Sequence, residues 1–166
     1  GGNDLSGSTY IYYQGDSLES ENLTAEEKAQ AGGVGTSVKK DQDFGVTLGG
    51  PIKKDKVWFF GNVRRLNHEL QQPIIPTQPF ETNQTHGFLK VTAQLGAASR
   101  LFGSLTTRNQ DRYPSNVTSF RNADAPETWQ TQKRIQKIFN MGWTHLVGDD
   151  TIIDAQYNRA WKEFQH

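Results

Sequence analysis

The sequence predicts an all-β fold, an antiparallel up-and-down meander of about seven long strands. Three observations predict it. Apolar residues recur with period two, not with the 3.6 period of a helix. Tight connections alternate with long polar ones along the chain. Mean hydropathy is −0.74, low for a compact soluble protein, yet 11% of residues are aromatic and 16 are glycine.

The strands follow in order. The first, Leu5 to Gln14 (LSGSTYIYYQ), alternates least cleanly. The second sets Phe44, Val46, Leu48, Gly50 and Ile52 against Asp43, Gly45, Thr47 and Gly49. In the third, Val57, Phe59, Gly61 and Val63 oppose Trp58, Phe60, Asn62 and Arg64. The fourth opposes Gly87, Leu89, Val91, Ala93 and Leu95 to Phe88, Lys90, Thr92 and Gln94. The fifth opposes Leu101, Gly103, Leu105 and Thr107 to Phe102, Ser104, Thr106 and Arg108. In the sixth, Ile135, Phe139, Met141 and Trp143 oppose Arg134, Gln136, Asn140 and Thr144. The last sets Ile153, Ala155, Tyr157 and Trp161 against Asp154, Gln156, Asn158 and Lys162. Most of these predicted strands are close to ten residues, longer than the usual five or six of soluble sheets.

The connections say where such a sheet belongs. KKDK (53–56), GAAS (96–99) and VGDD (147–150) read as tight turns. Segments 15–41, 70–84 and 111–130 read as long polar loops. Every tight turn then lies at one end of the sheet and every long loop at the other. Transmembrane β-barrels of the outer membrane have that layout, whereas Greek-key sandwiches do not separate their loops so. A strand crossing lipid needs roughly 9–11 residues, apolar on one face and polar on the other. The residues expected to face lipid are Phe44, Val46, Leu48, Val57, Phe59, Val63, Leu89, Val91, Phe139, Met141, Trp143 and Tyr157. Those expected to line a wet lumen are Asn62, Arg64, Lys90, Gln94, Arg108, Gln136, Asn140, Gln156 and Asn158. Trp143 and Trp161 suit aromatic girdles at the two interfaces, and Trp58 and Phe60 suit the inner rim.

Other chemistry has little support. Lys plus Arg and Asp plus Glu are both 18, so net charge gives no pull toward nucleic acid. With no cysteine there is neither a disulfide framework nor a thiolate metal site. No apolar run is long enough for a transmembrane helix. His68, His86, His145 and His166 fall on separate segments without a metal-ligand spacing, so neither metal nor cofactor is expected. Ser104, Ser115 and Ser119 lie in no nucleophile-elbow context. Gly32, Gly33 and Gly35 lack the Lys-Ser/Thr pair of a phosphate loop. Thr24 followed by Glu27 predicts a short capped helix within the first long loop. No catalytic role is expected anywhere in the chain.

DFGVTLGGPIKKDKVWFFGNVRRL resembles the F-G-x-x-L-G-G-P-[IL]-x-K-[DN]-K-x-F-F-F segment of TonB-dependent outer-membrane receptors, nearest their Oar-like subgroup. GGNDLSGSTYIYYQGDSLESEN resembles the first barrel strand of that subgroup. LKVTAQLGAASRLFGSLTTRNQ and WTHLVGDDTIIDAQYNRA resemble its later hairpins. The subgroup often carries G-D-F-[ST] after the GGP hairpin, where this chain reads PIIPTQPFETNQT, so ligand contacts do not transfer. The resemblance implies a barrel of about 22 strands with a plug and a TonB box. Residues 1–166 would then be the N-terminal third of the barrel, with plug and remaining strands outside it. Implied partners are outer-membrane lipid, the protein's own plug and further strands, the TonB complex and an unidentified ligand. Arg64, Arg65 and Arg108 are the charges expected to meet plug carboxylates. The expected location is the bacterial outer membrane and the expected role energy-coupled passage of a ligand. The competing reading is a soluble β-sheet module for adhesion or surface binding.

Overall fold

In the computed structural model, residues 2–18, 20, 23–30, 35–117, 123 and 125–165 are described. Seven strands form one antiparallel sheet in chain order, each paired with the next. They are β1 (Ser6–Gly15), β2 (Ser37–Lys53), β3 (Val57–Gln72), β4 (Ile75–Gln94), β5 (Ser99–Tyr113), β6 (Gln132–Val147) and β7 (Thr151–Gln165). The meander follows from alternation and tight turns, since a hairpin is the cheapest way to pair successive strands. β1 and β7 leave their outer edges unpaired.

The strands are longer than expected. β2 has 17 residues, β3 has 16 and β4 has 20. The predicted loop 70–84 is instead a continuous hairpin, in which Gln72 pairs with Ile75 across the turn at 73–74. Leu70 pairs with Phe80 and Glu69 with Glu81 below that turn. The misreading has a physical cause. Pro73, Pro76 and Pro79 look like strand breakers, and both faces there are largely polar, so the period-two hydrophobic signal vanishes. Ladder hydrogen bonds do not need that signal. The hairpin tip also buries Ile75, whose carbonyl accepts a hydrogen bond from the Gln71 amide at 2.5 Å. The other two predicted loops shrink, because β2 starts at Ser37 and β5 runs to Tyr113. The layout of the ends survives: connections 54–56, 95–98 and 148–150 share one end, and 16–36, 73–74 and 114–131 the other.

The capped helix forms as α1 (Ala25–Gln30). Thr24 and Glu27 bond reciprocally: the Thr24 N–H donates to the Glu27 carboxylate at 2.8 Å, and the Glu27 N–H donates to Thr24 Oγ1 at 3.2 Å. The Thr24 N–H holds the Glu27 carboxyl below its ordinary range, so the box persists until pH falls through that lowered value. Gly32, Gly33, Ser119 and His166 lie outside the described residues.

Among the described residues, no second layer covers the sheet. Among the described residues only Ile75 and Val117 are buried hydrophobics. Val63, Met141 and Trp143 remain 53%, 45% and 37% exposed. A soluble sheet of this size buries one face against another element; this one presents both.

Candidate functional site: the two faces of the sheet

Directly opposed residues in an antiparallel pair point to the same face, so the register sorts every side chain. One row runs Leu48, Gly61, Leu89, Leu105, Phe139. The next toward the tight turns runs Gly50, Phe59, Val91, Gly103, Met141, Tyr157. Val57 and Trp143 join the row through Ala93 and Leu101. On the other side, Val46 pairs with Val63, and Phe44 with Ile11. All twelve residues expected to face lipid thus share one face, as a continuous apolar band. Along β2 the band from Phe44 to Ile52 measures roughly 26 Å, at about 3.3 Å per residue. Beyond it the same face turns polar for three rows: Arg65, Asn67 and Glu69 on β3, and Thr85, Asn83 and Glu81 on β4.

The opposite face carries the nine predicted lumen residues. Ser104, Asn140 and Asn158 form one row, with the Asn140 amide donating to Ser104 Oγ at 3.2 Å. Lys90 opposes Ser104, Arg108 opposes His86 and Gln136, Gln94 opposes Arg100, Gln156 opposes Gly142, and Asn62 opposes Thr47 and Phe88. Thr92, Ser104 and Gln110 on this face are buried although the sheet has a single layer. Neighbouring side chains crowd over them, while the band on the other side stands open.

Two charge assignments change. Arg65 lies on the apolar-band face, opposite Phe44 and Thr85. It cannot reach whatever meets Arg64. Arg64 itself is already paired: its Nε donates to Asp43 Oδ1 at 2.8 Å and its terminal nitrogen to the other carboxylate oxygen. The Tyr10 hydroxyl completes the cluster, donating to Asp43 Oδ1 at 3.0 Å. Arg108 donates to Gln84 Oε1 at 3.2 Å. Among the described residues, no three His, Asp or Glu side chains gather as metal ligands.

Sequence reasoning missed two features. The first is that aromatics pave glycines on the polar face. A Cβ on Gly142 would meet the Phe102 ring at 2.3 Å, and one on Gly45 would meet Tyr10 at 2.2 Å. Lys90 Nζ sits 5.1 Å from the Phe102 ring centroid, and Phe60 packs on Phe88 at 6.0 Å. The signal was available, since Phe60, Phe88 and Phe102 fall on polar-face positions opposite or beside glycines. Gly142→Ala should therefore cost about 1 kcal/mol by crowding. In a double-mutant cycle Phe102→Ala should remove most of that cost; additive losses would contradict the contact.

The second is a clasp between the chain's first residues and the KKDK turn. Asp55 has a φ of 61°, a left-handed conformation that Asp tolerates better than most side chains. Asn3 holds it: Asn3 Oδ1 accepts from the Asp55 N–H at 3.1 Å and from Trp58 Nε1 at 3.3 Å, and its amide donates to the Asp55 carboxylate. Leu5 also packs on Gly50, where a Cβ would meet Leu5 Cα at 2.9 Å. Asn3 and Leu5 and the hairpin 50–58, distant in sequence, are one structural unit. Asn3→Ala should lower unfolding stability by about 1 kcal/mol, as expected when exposed hydrogen bonds are lost. Asn3→Asp should lose at least as much, because it removes the amide donor and sets a second carboxylate against that of Asp55.

A family model described as an outer membrane beta barrel domain matches residues 1–80, from β1 into the polar part of β4. No curated protein and no solved structure matches the chain significantly. Together with the seven-stranded meander, the match supports a piece of an outer-membrane β-barrel and indicates the bacterial outer membrane as its location.

Proposed function

We propose that the chain is wall from a TonB-dependent receptor that moves a ligand across the outer membrane with energy delivered from the inner one. The observation that carries this reading is the GGPIKKDK hairpin, clasped by Asn3, on a sheet with an apolar band on one face and polar residues on the other. The apolar band meets lipid. The opposite face, with Asn62, Arg64, Lys90, Gln94, Arg108, Gln136, Asn140, Gln156 and Asn158, lines the lumen. With Arg64 neutralised by Asp43, Lys90 and Arg108 remain, of the charges named from the sequence on this face, to engage plug carboxylates, and Arg100 joins them. A cleft of about 350 Å³ bounded by Trp58, Phe60, Lys90, Thr92 and Arg100 lies toward the tight turns, where a plug would seat. The connections at the opposite end face outside and meet the ligand. The wall is scaffold and conduit, not catalyst.

The test is uptake. Cells carrying the intact gene should bind the ligand with or without TonB but accumulate it only with TonB and a proton gradient. Accumulation that survives loss of TonB would overturn the reading in favour of a passive pore. Partition into the aqueous phase without detergent would favour the soluble module instead.

A further inference from the structure

We propose that the apolar-band face carries a docking site for one phosphate-bearing lipid, held by Lys137 and Arg159; the inference rests on the reading that this face meets lipid. A groove of about 650 Å³ opens there between β5, β6 and β7. Leu105, Ile135, Phe139 and Trp161 give it an apolar floor, Lys137 and Lys162 supply cations to its lining, and Arg159 adjoins it opposite Phe139. Register sets Phe139 between Leu105 and Arg159, and Lys137 directly opposite Trp161. The Arg159 guanidinium lies over the Trp161 ring, 4.7 Å from its centroid, so it points away from the tight turns and toward the polar end. On β7 the apolar residues of this face are Ile153, Ala155 and Tyr157, so the band there lies nearer the tight turns than on β2, and two cations flank one tryptophan at its upper margin. Phe139, level with Arg159, and Tyr157 below it, with ring centroids 6.4 Å apart, continue an apolar track along which acyl chains can lie.

Charge order selects the occupant. On this face Arg65, Lys137 and Arg159 border the apolar band. Strand by strand, carboxylates come further out: Glu163 beyond Arg159 on β7 and Glu69 beyond Arg65 on β3, with Glu81 opposite Glu69 on β4 and Asp111 opposite Lys133 between β5 and β6. Among the described residues, no carboxylate lies within ion-pair distance of Lys137, Arg159 or Arg65. The Glu163 carboxylate, which also lines the groove, accepts a hydrogen bond from the Gln165 amide at 2.5 Å. A solvated face gains nothing from keeping its cations unpaired beside exposed hydrocarbon. An anionic headgroup with its tails on the band satisfies both, and interfacial cations attract such lipids. Arg159, stacked on an aromatic, is also suited to phosphate by its planar fork.

Quenching by brominated lipid tests this. The membrane-assembled protein is placed in vesicles of brominated phosphatidylcholine, or of unlabelled phosphatidylcholine doped with brominated phosphatidylglycerol at matched bromine content. Trp161 emission is obtained by subtracting a Trp161→Phe variant. The expected result is a preference of about thirtyfold for the anionic lipid near Trp161, as two interfacial cations supply. In Lys137→Gln/Arg159→Gln the preference should vanish while quenching by the zwitterionic lipid persists. Both residues are exposed, so the double variant should still assemble. Equal quenching by the two lipids in the unaltered protein, or a preference that survives the double substitution, overturns the site. Quenching by neither lipid overturns the membrane reading beneath it as well, so the two failures are distinguishable.

Discussion

Leu89→Arg should destabilise the membrane-assembled protein by about 2–4 kcal/mol, the cost of a cation near the bilayer midplane on a barrel's lipid face. Leu89 is half exposed in the middle of the apolar band, between Gly61 on β3 and Leu105 on β5. On the proposed reading, an arginine there meets hydrocarbon. Asn62→Arg provides the control. Asn62 adjoins Gly61, the register partner of Leu89, but points to the opposite face, opposite Thr47 and Phe88. The same charge there should meet water and cost less than about 1 kcal/mol, as for an ordinary surface substitution. Equilibrium unfolding from bilayers would measure both. Midpoints falling equally would mean that the two faces see the same solvent. A larger loss for Asn62→Arg would mean that the faces had been exchanged.

The faces were legible because a strand's period is two and the apolar band is strict. Val57, Phe59, Gly61 and Val63 fix the face of β3, and pairing then carries it across six other strands. The topology was legible from KKDK, GAAS and VGDD, whose small and charged residues suit hairpin bends. What the sequence hid lies where alternation carries no hydrophobic contrast. Asn67, His68, Glu69, Thr82, Asn83 and Gln84 are polar on both faces, so a paired extension beyond the band looks like a loop. The Asn3 clasp was hidden for another reason. It joins residues 52 positions apart through an asparagine that no local pattern marks. Arg64 and Arg65 show the limit at a single site. Adjacent in sequence, they fall on opposite faces of the strand, and only the register makes one a partner of Asp43 and the other part of the cationic margin.

Val91→Pro should abolish assembly, whereas Glu81→Pro in the same strand should only reduce it. Both positions are in the interior of the sheet, with β4 paired to β3 and β5. Proline removes one N–H from the ladder and leaves a neighbouring carbonyl without its donor. At Glu81, between Glu69 and Tyr113 in the polar extension, water can replace that donor. The loss is then about 1 kcal/mol for the bond, plus whatever the ring strains. At Val91, between Phe59 and Gly103 in the band, the proposed environment is hydrocarbon, which offers no donor, and an orphaned group costs several kcal/mol. The chain already follows this rule. Pro73, Pro76 and Pro79 cluster at the far end of the β3–β4 hairpin, and the β4 stretch 85–94 contains none. Assembled barrels resist unfolding until heated, so the fraction with altered gel mobility before heating measures assembly in outer membranes. Glu81→Pro should keep a clear folded band and Val91→Pro none. If both variants assembled equally, the backbone at Val91 would have to be reachable by water, and a lipid-embedded wall would be excluded.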